Sequence, residues 1–139
     1  MNERRFMHEV AEALRCDERR AESIVFVVFQ ELRERITPKE SAHVAAQLPE
    51  GLKKLWLEDE TPGRPVHRTH LADFLGRVRQ RAALTDDVEA ERGTRAVFGA
   101  LQRQLGSPTG TEGEAWDVFS LLPKDLKHLW LESARRPHS

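Results

Sequence analysis

An all-α fold, two pseudo-symmetric four-helix units packed into one globular helical bundle, is what this sequence predicts, and three observations carry the prediction. The stretch LPEGLKKLWLE at residues 48–58 returns as LPKDLKHLWLE at residues 122–132, identical at eight of eleven positions. Apolar residues recur at helical rather than strand spacing along most of the chain. Pro62, Gly63 and Pro65 fall within ten residues, which breaks any regular element there and marks a connector. The expected organisation is a first repeat unit over residues 1–60, a Pro/Gly-containing linker over 61–70 and a second unit over 71–139. Each unit is too short to bury much surface alone, so the two are expected to form one compact domain.

In residues 4–15, Phe6, Val10 and Leu14 stand four apart, with Ala13 adjacent and charged residues mostly off that stripe, which predicts an amphipathic first helix. Asp17 is an N-cap for a second helix running to about Arg35, whose Ile24, Val25, Val28, Phe29, Leu32 and Ile36 follow the i, i+3, i+4 rhythm. This most apolar helix should be central. Its Val and Ile would also suit a strand, but Glu31, Arg33, Glu34 and Arg35 are spaced as on a helical face. Thr37-Pro38-Lys39-Glu40 reads as a capping box with proline at the first helical position, opening a third helix with Ala42, Val44, Ala45 and Leu48 that ends before Pro49. Pro49 opens a fourth, with Leu52, Leu55 and Trp56 on one face.

After the linker the series restarts. Leu71, Phe74, Leu75 and Val78 mirror the first helix. Asp86 with Glu89 opens a long helix holding Val97, Phe98, Leu101 and Leu105, 69 positions after Val28, Phe29, Leu32 and Ile36 (97 − 28). A loop at Gly106 to Gly110 raises the offset to 74 before Thr111-Glu112-Gly113-Glu114 repeats the capping box; Trp116, Val118, Phe119 and Leu122 make the next helix, and Pro123 to about Ala134 the last. Such units, each with a long apolar helix its own partners cannot cover, should pack about an approximate two-fold axis. Trp56 and Trp130 occupy equivalent places, and Trp116 stands where the first copy has Ala42.

Composition narrows the class. With 39% apolar and 32% charged residues the chain reads as a soluble globular protein. The apolar run Ile24 to Phe29 is far shorter than the roughly 20 residues of a membrane span, and residues 1–15 do not resemble a secretion signal, so a cytoplasmic location without membrane contact is expected. One cysteine, Cys16, excludes an internal disulfide and a multi-thiolate metal site. A net charge of −1 gives no global attraction to nucleic acid. Residues 1–60 carry −3 and 61–139 carry +2, a mild asymmetry.

Chemistry-bearing residues are few. His67 and His70, at i, i+3, have the spacing to present two imidazoles to a metal on a helix, but no third ligand is evident and the expectation is no metal. His8, His43 and His128 sit on polar sides of their helices. Cys16, beside Asp17 and Glu18, reads as an unreactive thiol. Arg77, Arg79 and Arg81, with Arg64 and Arg68, form the most basic patch; without interleaved aromatics it reads as a solvated face whose Arg77 and Arg81 pair with acids one turn away or across the unit interface. Phosphate loops, nucleophile elbows, HExxH and paired ExxH helices are missing.

The segment AESIVFVVFQELRERITPKESAHVAAQLPEGLKKLWLE at residues 21–58 resembles the bacterial domain-of-unknown-function family 2267, with its long AV-rich helix, TP-E helix start and AAQLP segment. The second copy departs at AAQLP, reading Val118-Phe119-Ser120-Leu121-Leu122-Pro123. The resemblance implies an all-α prokaryotic protein and supplies no catalytic residue. The chain is thus expected to be a non-enzymatic protein-interaction or regulatory module, with a protein partner or self-association through an exposed apolar helix face and no cofactor. The alternative is a small-molecule binder with an apolar pocket between the units near Trp56, Trp116 and Trp130.

Overall fold

The computed structural model describes residues 3–105 and 113–134; the loop at 106–110 and the capping box expected from Thr111 lie outside them. The described residues form eight α-helices and no strand: α1 (Glu3–Leu14), α2 (Glu18–Arg33), α3 (Pro38–Ala45), α4 (Glu50–Leu57), α5 (Leu71–Arg81), α6 (Asp87–Gln104), α7 (Gly113–Phe119) and α8 (Lys124–Glu132).

The helix starts follow the capping chemistry. Asp17 accepts from the Arg20 amide and Asp86 from the Glu89 amide, each from an extended backbone. At Thr37 the box closes in both directions: the Glu40 amide donates to the Thr37 hydroxyl at 3.1 Å and the Thr37 amide to the Glu40 carboxylate at 2.8 Å. α1 and α5 both end on a non-glycine residue in the left-handed region, Arg15 (φ 54°) and Ala83 (φ 53°), which turns the chain into the helix that follows.

Two boundaries differ from expectation. α2 stops at Arg33 and α3 at Ala45, each followed by a tight turn whose amides reach back three residues, as from Arg35 to the Leu32 carbonyl and from Leu48 to the Ala45 carbonyl. The extra half-turn serves Ile36 and Leu48, which are buried although outside the helices. Ala42 is exposed, and Ser41, Val44 and Ala45 form the inward face of α3 instead.

The long helices are central, as their composition demands. α2 packs against α1, α4, α5 and α6, and α6 against α1, α2, α5 and α8. In consequence every residue from Val27 to Arg33 and from Val97 to Gln102 is buried: these stretches have no solvent face. Gly93 lets the two long helices approach, since a Cβ there would lie 3.2 Å from Ile24 Cγ2, and Gly99 sits under the Ser133 carbonyl at the end of α8. α4 covers α1 and α2, and α3 bridges α4 and α7. One continuous apolar core results, running from Phe6 on α1 to Trp130 on α8.

Candidate functional site

A helix buried on all sides must satisfy its polar groups inside the protein. Glu31, 0% exposed, accepts from Arg77 Nε at 2.8 Å, from Arg81 Nη1 at 2.5 Å and from Arg35 Nη1 at 3.2 Å. Arg35, 1% exposed, also donates to the Glu31 carbonyl at 2.6 Å, to the Thr69 hydroxyl and to Asp73 Oδ2 at 3.2 Å, and its guanidinium lies 4.9 Å over the Phe74 ring. The Glu31 carboxylate raises the Arg77 pKa by hydrogen bond and by charge. This cluster ties α2 to α5, so Arg77 and Arg81 of the expected basic patch are committed to an acid across the helix interface. Arg79 faces Asp87 at 3.5 Å, and Arg68 donates to the Leu121 carbonyl.

A second cluster pins the linker. Arg33 donates to the Trp56 carbonyl and, at 2.8 Å, to that of Glu58, and its Nε lies 3.5 Å from Glu60. Glu60 also takes Arg64 and the Ser41 hydroxyl (2.7 Å), and Arg64 returns to the Arg33 carbonyl at 2.9 Å. Residues 59–68 are therefore held by specific contacts, which composition alone did not indicate. Burial pushes the Glu60 carboxyl up, but hydrogen bonds from Arg64 and Ser41 with the charges of Arg33 and Arg64 outweigh it, and the net pKa is below the ordinary 4.5. A depressed carboxylate stabilises the fold above pH 4.5 and loses that contribution as the pH falls through its lower folded value. Glu60→Gln should therefore be less stable than the parent at pH 6, with the two stabilities converging toward pH 3 in urea unfolding; a gap that stays constant would show that Glu60 is not the titrating group.

Trp56 and Trp130 are wholly buried. Trp56 meets Phe29 (5.2 Å) and donates its indole N–H to Ser41 Oγ at 3.0 Å, while Trp130 lies against Phe98 (5.3 Å) and Phe119 (4.5 Å). Trp116 is partly exposed and packs on the edge of the core. His67 is exposed, its backbone amide donating to the Glu34 carbonyl, and His70 pairs with Asp125 at 3.5 Å. Among the described residues no group of three His, Cys, Asp or Glu side chains is placed to hold a metal. Cys16 is half-buried; burial first, then the Asp17 charge, raises its pKa above 9.0. Its alkylation by iodoacetamide at pH 7.5 should be slower than that of a free thiol and accelerate on unfolding; equal rates before and after denaturation would refute this.

A separate groove of ≈ 550 Å³ runs between α5, α6 and α8, lined by His70, Leu71, Glu91, Arg95, Lys124, Asp125, His128, Leu129 and Glu132. Its walls follow from local needs. His70 enters α5 without a side-chain cap of its own, so the orphan Leu71 amide is taken by Asp125 from the first turn of α8, at 3.0 Å; Asp125 also accepts from the Leu126 amide at 2.8 Å. Burial pushes the Asp125 carboxyl up, but these amides and His70 hold it below its ordinary 3.8. Arg95 joins α6 to α8 through Glu132 at 2.8 Å and pairs with Glu91 at 3.4 Å. Leu71 and Leu129 give the groove its apolar lining. None of the three tryptophans lines it.

Sequence reasoning located His70 and His128 but not the groove, whose residues come from three helices. It read Glu31 and Arg35 as residues of a helical face and did not place them together in the interior. A signal existed: at the 69-position offset that separates the two long apolar stripes, Ala100 and Gln104 (31 + 69, 35 + 69) correspond to Glu31 and Arg35, so charged side chains stand where the offset gives uncharged ones.

With the geometry in hand, comparison with known proteins adds one finding. The family model described as an uncharacterized conserved protein, DUF2267, matches residues 3–129. The chain belongs to this family. No curated protein matches it. No described helix is long and apolar enough to cross a membrane.

Proposed function

We propose that this chain is a non-enzymatic recognition module that binds a small ligand in the α5–α6–α8 groove, within a fold made of two copies of one helical unit. The observation that carries the reading is the groove itself: its volume of ≈ 550 Å³ is within the range of small-molecule sites, it pairs an apolar lining with a few polar groups, and two cross-helix contacts hold it open in a defined shape. Its carboxylates are engaged in backbone capping and ion pairs, which suits positioning better than proton transfer.

Duplication is supported by more than the repeated segment. Phe6, Phe29 and Trp56 form one chain of ring contacts, and Phe74, Phe98 and Trp130 another. Arg33 donates to the Trp56 carbonyl where Gln102, 69 positions later, donates to that of Trp130 at 2.6 Å. α1 packs on α6 as α5 packs on α2, the exchange a two-fold relation would produce. The groove, in contrast, belongs to one copy. Glu50, Gly51 and Lys54 stand 74 positions before Lys124, Asp125 and His128, and the Glu3 carboxylate occupies the place a Cβ on Gly51 would take.

The test is amide chemical-shift mapping with a panel of acids, amines and neutral solutes. Shifts at the start of α5 and along α8 are expected; a panel that moves only other regions, or nothing, refutes the reading. A second reading, self-association, draws on three exposed apolar residues, Val88 (69%), Leu121 (54%) and Leu57 (38%). Sedimentation showing a monomer up to high concentration would dismiss it.

A further inference from the structure

We infer that the groove is selective for a small organic monoanion with an apolar body, of which an aliphatic carboxylate is the simplest case, and that Lys124 and His128 receive its charged head. The inference rests on the groove being the binding site proposed above and adds the chemistry of the occupant.

Three carboxylates line the groove and each has a partner on at least one oxygen: Asp125 in the Leu71 and Leu126 amides and His70, Glu91 and Glu132 in Arg95 through Oε2. Arg95 is in turn committed to those two acids. Lys124 and His128 are different. Among the described residues neither makes an internal hydrogen bond or ion pair, both side chains are exposed, and both line the groove. They stand four apart on α8, so they project from one face of that helix. An ammonium offers only donors, and an imidazole in either tautomer offers an N–H. His70, also in the lining, spends Nδ1 on Asp125. The donors left unpaired on this face therefore call for an acceptor, and the Lys124 ammonium favours one that carries negative charge.

Leu71 and Leu129 define the rest of the occupant. A bare inorganic anion would leave this lining exposed, whereas an aliphatic body gains from covering it. The equivalent positions of the first copy argue in the same direction: Glu50 stands where the second copy has Lys124, which reverses the charge.

The test uses the full chain and a series of straight-chain carboxylates from acetate to octanoate, followed through the imidazole C–H resonances of His70 and His128, with hexanol, hexylamine and inorganic phosphate as controls. Affinity should climb with chain length, by up to about fourfold per methylene. Lys124→Gln and His128→Gln, both at exposed positions, should each weaken hexanoate about tenfold, and the three controls should bind far more weakly than hexanoate. Hexanol, hexylamine or phosphate binding as tightly as hexanoate would overturn the anionic-amphiphile inference while leaving the groove as a site, as would hexanoate binding unchanged by Lys124→Gln. If no probe moves either imidazole, the inference and the proposed function fall together.

Discussion

Glu31→Ala is expected to lower the unfolding free energy by about 3–5 kcal/mol, the range for breaking a buried ion pair from one side. The cost is concentrated on one partner. Arg77 and Arg81 keep 47% and 34% of their side chains exposed, so on losing Glu31 they return to water. Arg35 cannot: its guanidinium stays enclosed between α2, Thr69 and Phe74 with only the half-exposed Asp73 as counter-charge. A domain of this size has about 5–15 kcal/mol in total, so the melting temperature should fall by 10 °C or more, on the order expected from the size scaling. The double variant Glu31→Ala/Arg35→Gln converts the pair to the residue types found 69 positions later, Ala100 and Gln104. It should be more stable than Glu31→Ala alone, because the stranded charge has gone. If the two losses simply add, the pair is not coupled and the reading of the cluster is wrong.

Trp130→Ala should cost a similar amount, about 3–5 kcal/mol, through the cavity left between Phe98 and Phe119. Trp56→Ala should cost a comparable amount, since it removes the ring from Phe29 and the indole N–H that donates to the Ser41 hydroxyl. Trp116→Ala is the internal control. That ring keeps part of its surface in water, so less apolar area is lost and the effect should be clearly smaller. Denaturant unfolding of the three variants, followed by far-ultraviolet circular dichroism, gives the ranking. A Trp116 variant as damaged as the Trp130 variant would mean that α7 is far more central than its packing on α3 indicates.

The helices were legible because their signals are local. Asp17, Thr37 and Asp86 cap where a short-range hydrogen-bonding pattern says they should, and the apolar stripes name most of the buried faces of α1 and α5. The stripe logic failed at α2 between Val27 and Arg33, where a helix with a polar face in sequence has none in space. Periodicity reports which residues share a side; it does not report how many neighbours surround that side. Once α1, α4, α5 and α6 enclose α2, Glu31, Arg33 and Arg35 must find partners from 46 positions further on (77 − 31) or from the linker.

By itself the sequence determined an all-helical chain and where most of its helices begin, since each follows from contacts within a few residues. Only the tertiary structure decided which charges are buried, that the linker is pinned by Glu60 and Arg64, and that Leu71, Arg95 and Asp125 converge on one groove. The reason is geometric: charge pairing and cavity shape depend on side chains brought together from separate helices, and no spacing within one helix encodes which other helix will lie against it.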